Sequence, residues 1–408
     1  MNDAYAALRL PEFRLFLSAR VCITVAIQIQ AVVVGWQVYE ITKDELALGL
    51  IGLAEAIPYI IVSLYAGHVA DVVQRKKIIL TAISLLAVCA IGLFSFTLIS
   101  DFFLSWRALP IYMVIFLSGI ARGFLSPALF AFMPQLVPPD RFKNAITWNS
   151  TFWEASAILG PAMGGLIYTL FDVTVAYAVD VVLLLTGIVL ALLIKARPLP
   201  PVTEEAGMFV KIRAGLNFVF GNKLILSAIS LDLFAVLFGG AVALLPIFAK
   251  EILQVGAWGL GLLRCAPSVG AVAMAFYIAH NPIKRNMGKV LLWAVAGFGL
   301  SMISFALSEN FYLSLTLLVI SGGFDCVSVI IRSTLLQTLT PENMKGRVSA
   351  VNNIFIGSSN EIGMFESGVA ARLLGVVPSV IFGGCMTLGV VSATAWLSKS
   401  LRRLQNLG

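Results

Sequence analysis

The sequence predicts an all-α membrane protein with twelve transmembrane helices arranged as two six-helix pseudo-repeats. Hydrophobic residues make up 59% of the 408 residues and charged residues only 12%, and the mean hydropathy is +0.95. A water-soluble domain of this length could not cover so much apolar surface. Twelve apolar runs each approach the roughly 20 residues that a helix needs to cross a bilayer. A motif of the first half also recurs in the second half.

The predicted spans follow one another with mostly short connections, which leaves no room for a large soluble domain. They lie at residues 15–39, 47–70, 78–100, 109–133, 145–170, 174–195, 224–249, 257–279, 289–308, 311–337, 347–374 and 377–398. The segment from Met1 to Arg14 lacks the pattern of a cleavable signal peptide. We therefore expect the first span to remain as an uncleaved anchor.

Basic residues predict the orientation of the spans. With the N-terminus inside, most of the 28 Lys and Arg residues fall in cytoplasmic segments, and the outer loops carry Lys43, Arg107 and Lys250. Short cytoplasmic loops of membrane proteins are enriched in Lys and Arg in this way. The sequence thus predicts a multi-pass protein of a bacterial-type inner membrane with both termini cytoplasmic. The net charge of +7 indicates topology and gives no reason to expect nucleic acid as a partner.

The two halves share a motif at an offset of 202 residues. QLVPPDRFKNAIT, which begins at Gln135, matches QTLTPENMKGRVS, which begins at Gln337. A polar stretch lies between the halves, and its second part alternates apolar and basic residues like a helix on a membrane surface. We therefore expect six-helix bundles at residues 1–195 and 224–408. A cytoplasmic linker with an amphipathic helix, residues 196–223, joins them.

A charged loop, GHVADVVQRKK, follows the second span and begins at Gly67. Its glycine, aspartate and basic cluster resemble the loop between the second and third helices of the major facilitator superfamily of secondary transporters. That resemblance implies a cytoplasmic latch made of Gly67, Asp71, Arg75 and Lys76. It also implies that Asp71 meets the start of span eleven, near Arg347.

The fifth span contains ILGPAMGGLIY, with Gly160, Pro161, Gly164 and Gly165. Pro161 removes one helix hydrogen bond, and the glycines give a thin face for close helix packing. The motif resembles one found in the exporter branches of the same superfamily. WQVYEIT, GLLRCAPSVGA and GRVSAVNNIFIGSSNEIGMFESGVAA add a similarity to the enterobactin-exporter-like branch, which also contains macrolide-efflux-type members.

Ionisable groups inside apolar spans are costly, so each one suggests either a function or a pairing with another helix. Glu55 and Asp232, near mid-depth in opposite halves, and Glu361 are the candidates for proton coupling. Candidate charged or polar residues of a central cavity are Arg20, Gln28, Arg122, Arg264, Asp325, Asn353 and Asn360. We expect Arg20 and Arg264 to supply cations to Glu55 and Asp232. The alternative, that these groups are inter-helix ion pairs, stays open.

Asp325 and Arg332 are seven residues apart on one helix. They therefore share a face of that helix and cannot meet each other. We expect each to find its partner on another helix. For Arg332 and Asp180, which lie nearer the membrane faces, a structural role is favoured.

These patterns together predict a secondary active transporter that works by alternating access around a site near mid-membrane. The favoured form is a proton-coupled exporter of an amphipathic small molecule, either a siderophore or a hydrophobic drug. Its expected partners are the lipid bilayer, the substrate and protons, with no cofactor and a monomeric state. A lysophospholipid flippase on the same fold is the main alternative.

A membrane receptor or enzyme is the remote alternative. Both histidines, His68 and His280, lie at span ends, and no span carries a His-Glu-x-x-His or Gly-x-Ser-x-Gly motif. The five cysteines fall inside apolar spans without the spacing of a metal pair. The sequence therefore predicts neither a catalytic residue nor a metal site.

Overall fold

In the computed structural model, the described residues are 5–99, 108–198, 208–283, 285–341 and 344–405. They form helices and their connections. The long helices are α1 (Pro11–Thr42), α2 (Glu45–Val72), α3 (Arg75–Leu98), α4 (Leu109–Phe132), α5 (Phe142–Leu170), α6 (Val173–Leu193), α7 (Met208–Gly221), α8 (Lys223–Gly239), α9 (Gly256–His280), α10 (Met287–Ala306), α11 (Phe311–Leu339), α12 (Lys345–Leu374) and α13 (Val376–Leu397). Single turns at Met133–Gln135, Pro139–Arg141 and Lys399–Arg402 supplement them, and three consecutive turns from Val242 to Ile252 prolong α8.

Ten helices within the described residues are long and apolar enough to cross a membrane. The two other predicted spans correspond to α5 and α12, which are 29 and 30 residues long. At about 1.5 Å per residue, each exceeds the roughly 30 Å of the hydrocarbon layer. Both carry Asn, Ser and Glu residues among their apolar ones, which lowers their hydropathy. The all-α fold predicted from the sequence is confirmed.

The chain forms two compact units. Unit 1 contains Met1–Lys43, Ala54–Glu204 and Gly256–Cys265, and unit 2 contains Asp44–Leu53, Glu205–Val255 and Ala266–Gly408. The first turns of α2 therefore belong to unit 2, and the first turns of α9 belong to unit 1.

In unit 1, α1 packs along α5 and α6, and α3 packs along α4 and α6. Phe13, Phe16 and Phe132 are almost fully buried between them, with Ile83 and Leu86 of α3 in the same cluster. The rings of Phe16 and Phe132 meet edge to face with their centroids 6.2 Å apart. This aromatic contact joins the beginning of α1 to the end of α4.

In unit 2, α8 packs against α12 and α13, and α10 packs against α11 and α13. Small residues allow the closest approaches. A Cβ atom added at Gly383 would lie 2.0 Å from the backbone oxygen of Phe238, so only glycine fits between α13 and α8. Thr387, one turn further along α13, is fully buried and donates to the Ala235 oxygen of α8 at 3.3 Å.

The helix α7 lies in the stretch that the sequence predicts to be a linker. Its Val219 is fully buried in a cluster with Ile225 of α8 and Val348 of α12. Asn222 then begins α8, because its side-chain oxygen accepts hydrogen bonds from the amides of Leu224 and Ile225 at 3.1 and 3.2 Å. The apolar face of α7 therefore packs within unit 2.

Candidate functional site

The first charged pair inside the spans joins α2 to α4 in unit 1. Two glycines on α4 let the helices approach, because a Cβ atom at Gly119 would lie only 2.8 Å from the backbone oxygen of Glu55. Arg122, one turn beyond Gly119, then meets the Glu55 carboxylate in an ion pair. The Arg122 and Glu55 side chains are 33% and 13% exposed. This pair is more accessible than the second charged pair, which is described next.

The second charged pair joins α8 to α11 in unit 2. Arg332 forms an ion pair with Asp232, and their side chains are only 4% and 7% exposed. The expectation that Arg332 finds its partner on another helix is therefore confirmed. A guanidinium and a carboxylate so deeply buried each depend on the other for compensation.

A small cavity of about 10 Å³ lies beside the second pair, within unit 2. Its polar wall consists of Asp232, Asp325 and Ser328, and the rest is apolar, with Phe298 and Phe324 prominent. The structure thus brings Asp325, a predicted cavity residue, next to Asp232, a predicted proton carrier. Ser328 was missed by the sequence analysis, although its position between Asp325 and Arg332 on one helix face was a usable signal.

Arg20 has a different partner from the one predicted. Its Nη1 donates to Oδ1 of Asn149 on α5 at 2.6 Å, beside a narrow crevice lined by Thr24 and Trp153. The prediction that Arg20 and Arg264 supply the cations for Glu55 and Asp232 is wrong, because Arg122 and Arg332 form those ion pairs. Hydropathy indicates the depth of a residue but not which neighbouring helix its side chain faces. Arg264 lies on α9 and is half-buried.

The glycine motif of α5 packs against two helices of unit 1. A Cβ atom at Gly160 would lie 2.5 Å from Cβ of Gln28, and one at Gly164 would lie 3.1 Å from Cα of Ile29, both on α1. One at Gly165 would lie 2.4 Å from the backbone oxygen of Ala257 on α9. Gln28, a predicted cavity residue, therefore lies at the contact between α1 and α5.

The neighbouring Pro161 takes part in the same packing. A Cβ atom at Gly261 would lie 2.6 Å from the Pro161 backbone oxygen, so α9 crosses α5 at very short range. The motif thus forms a close-packed surface on two sides of α5.

The predicted polar residues of α12 do not all fall within the described part. The side chain of Asn353 lies outside the described residues, whereas Asn360 is exposed. Glu361 is partly buried, and its backbone oxygen would lie 2.8 Å from a Cβ atom at Gly52. The first turns of α2 therefore pack closely on α12 within unit 2.

Three residues of the predicted latch, Gly67, Asp71 and Arg347, are described only as parts of their helices. The side chains of Asp71 and Arg347 lie outside the described residues. The two basic residues are described, and both bind backbone oxygens at helix C-termini. Arg75 donates to Ala131 of α4 at 3.1 Å and to Ala70 of α2 at 3.4 Å.

Lys76 binds the last turn of α6 in the same manner. Its Nζ donates to the backbone oxygens of Leu192, at 2.8 Å, and of Ile194. Terminal carbonyl groups have no partner within their own helix and carry partial negative charge, so cations stabilise them. Arg75 and Lys76 together cap three helices of unit 1.

Several polar contacts were not foreseen from the sequence. The Tyr177 hydroxyl donates to Oε1 of Gln37 at 2.6 Å in the interior of unit 1. Asp180, one turn along α6, is fully buried, and neither of its carboxylate oxygens has a hydrogen-bond partner among the described residues. The Tyr177–Gln37 contact and the burial of Asp180 both depend on helix rotation, which hydropathy does not give.

An ion pair joins Asp44, in the connection before α2, to the last turn of α12. Nη1 of Arg372 lies 2.5 Å from Oδ2 of Asp44. The hydrogen bond from Arg372 holds the pKa of the Asp44 carboxyl below its ordinary value. Asp44 also accepts from the Leu46 amide at 2.9 Å, which begins α2.

A multi-pass bundle with ion pairs buried inside its spans has the architecture of a membrane transporter. Residues 2–406 match the family described as transmembrane secretion effector, and the chain belongs to this family of major facilitator transporters. It is similar to the enterobactin exporter EntS of Salmonella typhimurium (strain LT2), with 25% identity over 387 residues. That alignment covers 93% of this chain and 91% of the relative. EntS of Escherichia coli O9:H4 (strain HS) matches with the same identity and coverage.

Solved structures of major facilitator transporters share the fold. A POT family transporter in complex with 5-aminolevulinic acid has a TM-score of 0.74 at 12% identity, over 95% of this chain and 96% of its own. The nucleoside transporter NupG has a TM-score of 0.72 at 12% identity, over 94% and 100%. The resemblance to an enterobactin-exporter-like transporter that the sequence suggested is confirmed.

Proposed function

We propose that the protein is a proton-coupled exporter of an amphipathic small molecule, with catecholate siderophores as the first class to test. The observation that carries the proposal is the similarity to enterobactin exporters along 93% of the chain. The glycine motif of α5, typical of exporter branches, agrees with the proposed direction.

We propose Glu55 as the residue that carries the proton. Its ion pair with Arg122 is partly accessible, since the arginine side chain is 33% exposed. Protonation of Glu55 would neutralise the carboxylate and release the guanidinium, whereas loss of the proton would restore the pair. The ionised pair can bind a catechol, because a catechol hydroxyl donates to the Glu55 carboxylate while a catechol oxygen accepts from Arg122. Protonation of Glu55 removes the charged acceptor, so proton and substrate compete for the same carboxylate, as antiport requires.

Asp232 fits the same role less well. Its carboxylate is buried with Arg332 and both side chains are nearly inaccessible. A proton would have to enter through the narrow cavity beside Asp325. We therefore assign Asp232 to a supporting position and retain Glu361 as a further candidate on α12.

We further propose that the protein acts as a monomer in the bacterial inner membrane, with both termini cytoplasmic. The bundles at residues 1–195 and 224–408 would expose the substrate to each side of the membrane in turn. Arg75 and Lys76 would stiffen the cytoplasmic ends of the helices that they cap, and Asp71 would complete the latch.

The test is a transport assay with purified protein in liposomes that contain enterobactin, with and without an imposed pH gradient. We expect the gradient to increase enterobactin movement several-fold in the wild type. Glu55→Gln should still move substrate but lose the response to the gradient, and Arg122→Gln should weaken substrate binding. Glu40→Gln is the matched control, because Glu40 is an exposed carboxylate at the end of α1 in the same unit.

Three outcomes separate the parts of the proposal. Movement that is indifferent to the gradient in the wild type refutes proton coupling. A normal gradient response in Glu55→Gln removes Glu55 from the coupling role and directs attention to Asp232→Asn and Glu361→Gln. If enterobactin does not move but a fluorescent lysophospholipid does, the protein is a lipid flippase.

A further inference from the structure

The cavity beside the Asp232–Arg332 pair has an unusual wall. Its volume open to water is about 10 Å³, which is room for roughly one water-sized particle. Asp325, Ser328 and Arg332 occupy one face of α11, since they are three and four residues apart along the helix. Asp232 faces them from α8, and α10 contributes the apolar side chains of Val295 and Phe298.

The charges around this cavity do not balance. Arg332 compensates Asp232 directly through their ion pair. Asp325 is a second carboxylate on the same cavity, and no further cation is among the described residues that line it. With both carboxylates ionised, the site carries one net negative charge in a low-dielectric interior, where such a charge costs several kcal/mol. One monovalent positive charge would make it neutral.

Ser328 gives an independent indication of a ligand. A serine inside a helix normally donates to a backbone oxygen of its own helix. Ser301 and Ser321 do so, to Gly297 and Leu318, each at 2.7 Å. Ser328 is only 2% exposed and lines the cavity, yet its hydroxyl has no hydrogen-bond partner among the described residues. Its oxygen is therefore available to a particle inside the cavity.

We propose that this cavity is a binding site for one water-sized monovalent cation, either Na⁺ or hydronium. Its ligands are the Asp325 carboxylate, the Ser328 hydroxyl and the Asp232 oxygen that remains after pairing with Arg332. Oxygen donors suit a hard cation. A single positive charge matches the single uncompensated carboxylate, whereas a divalent ion would leave an excess positive charge. The bound cation would hold α8 and α11 together at Asp232.

The test measures binding and does not require transport, so it stands apart from the exporter proposal. The full-length protein is purified in detergent, and its melting temperature is followed while NaCl replaces choline chloride at constant ionic strength and pH. A ligand that binds only the folded state raises the melting temperature with concentration. In a second series without Na⁺, pH is varied instead. The charged groups on the described wall are Asp232 and Asp325, and Arg332 adjoins the wall through its ion pair with Asp232.

We expect the wild type to show a saturable stabilisation by Na⁺, or by acidification in choline alone if hydronium is the occupant. Asp325→Asn should raise the cation concentration that gives half of the stabilisation about tenfold or more. Ser328→Ala should raise this midpoint concentration by a factor of about three to ten, as for the loss of a charge-assisted contact. Ser321→Ala is the matched control on the same helix, because its hydroxyl bonds to α11 itself. Asp180→Asn is the control for a buried aspartate in unit 1.

Two results would overturn the site. One is an identical response of the wild type and Asp325→Asn to both Na⁺ and pH. The other is a Ser328→Ala midpoint equal to that of Ser321→Ala, because the hydroxyl would then contribute nothing to binding. Size-exclusion profiles of each variant show whether it is folded before the titrations are compared.

Discussion

Arg332 of α11 and Asp232 of α8 neutralise each other in the interior of unit 2, where their side chains are 4% and 7% exposed. Each charge persists there because the other compensates it, since an isolated ion would lose several kcal/mol of hydration. The contact also fixes the rotation of α11 about its axis. That rotation directs Asp325 and Ser328 toward the cavity that Asp232 lines.

Removing one member of this pair should therefore destabilise the protein strongly. We expect Asp232→Asn to lower the free energy of unfolding by about 3–5 kcal/mol, because Arg332 would stay buried without a counter-charge. The double variant Asp232→Leu with Arg332→Met should recover much of the loss. Thermal unfolding of the purified single and double variants checks this. Losses that simply add in the double variant would contradict the interpretation.

Gly165 should not tolerate even the smallest side chain. Its Cβ atom in Gly165→Ala would lie 2.4 Å from the Ala257 backbone oxygen and 3.0 Å from Cα of Gly261, so α5 and α9 must separate. We expect a loss of about 1–3 kcal/mol, the usual cost of overpacking. Gly389→Ala is the control, because nothing lies within 4 Å of a Cβ atom there. Equal melting temperatures for the two variants would contradict this, because they would show that α9 moves away from α5 without loss of stability.

Lys76 should stabilise the end of α6 locally. Its amino group binds the backbone oxygens of Leu192 and Ile194, so Lys76→Ala should cost about 0.3–1 kcal/mol, as for other cations at a helix C-terminus. Hydrogen exchange of amides in the last turn of α6 should become faster. The adjacent Lys77 is exposed, and Lys77→Ala should leave this exchange unchanged. An effect of the same size in both variants would indicate a general charge effect.

The Asp44–Arg372 ion pair predicts a pH dependence of stability. Arg372 lowers the pKa of Asp44 below the unfolded value of about 3.9. The stabilisation is therefore fully present above about pH 4 and is lost as the pH falls through the lowered folded pKa. Because both side chains are exposed to solvent, which screens the pair, the pair should contribute only weakly to stability.

The measurement for this pair compares wild type with Asp44→Asn across pH 3 to 8. The difference in melting temperature should be constant from pH 5 to 8 and shrink at the acidic end. Arg372→Gln should behave in the same way, and combining the two substitutions should add nothing. A difference that grows on acidification would refute the assignment.

Hydropathy and charge predicted the helical architecture well because they depend on properties that each residue carries alone. The roughly 20-residue apolar runs correspond to helices, including α5 and α12, whose polar residues lower their hydropathy. The depth of Glu55 and Asp232 in the membrane was also predicted, by counting residues from the ends of their spans. The spacing of seven residues placed Asp325 and Arg332 on one face of their helix and predicted that each would meet a partner on another helix. Arg332 has such a partner in Asp232.

The partners themselves could not be predicted. Arg20 and Arg122 are both arginines inside spans of the first half, and only Arg122 meets Glu55. What distinguishes them is the close approach of α2 to α4 at Gly119, which is a tertiary contact. Ser328 shows the same limit, because the lack of a hydroxyl partner among the described residues depends on a cavity formed by three helices.

The composition of unit 1 has a consequence for biosynthesis. Its surface at Pro161 and Gly165 is covered by the first turns of α9, from the segment Gly256–Cys265. A nascent chain that ends at Glu204 lacks the segment Gly256–Cys265. Residues 205–255 must be synthesised before this segment can cover the surface. Domains generally fold as units in the order of their synthesis. Here the earlier unit cannot be completed until residues 205–265 have also left the ribosome.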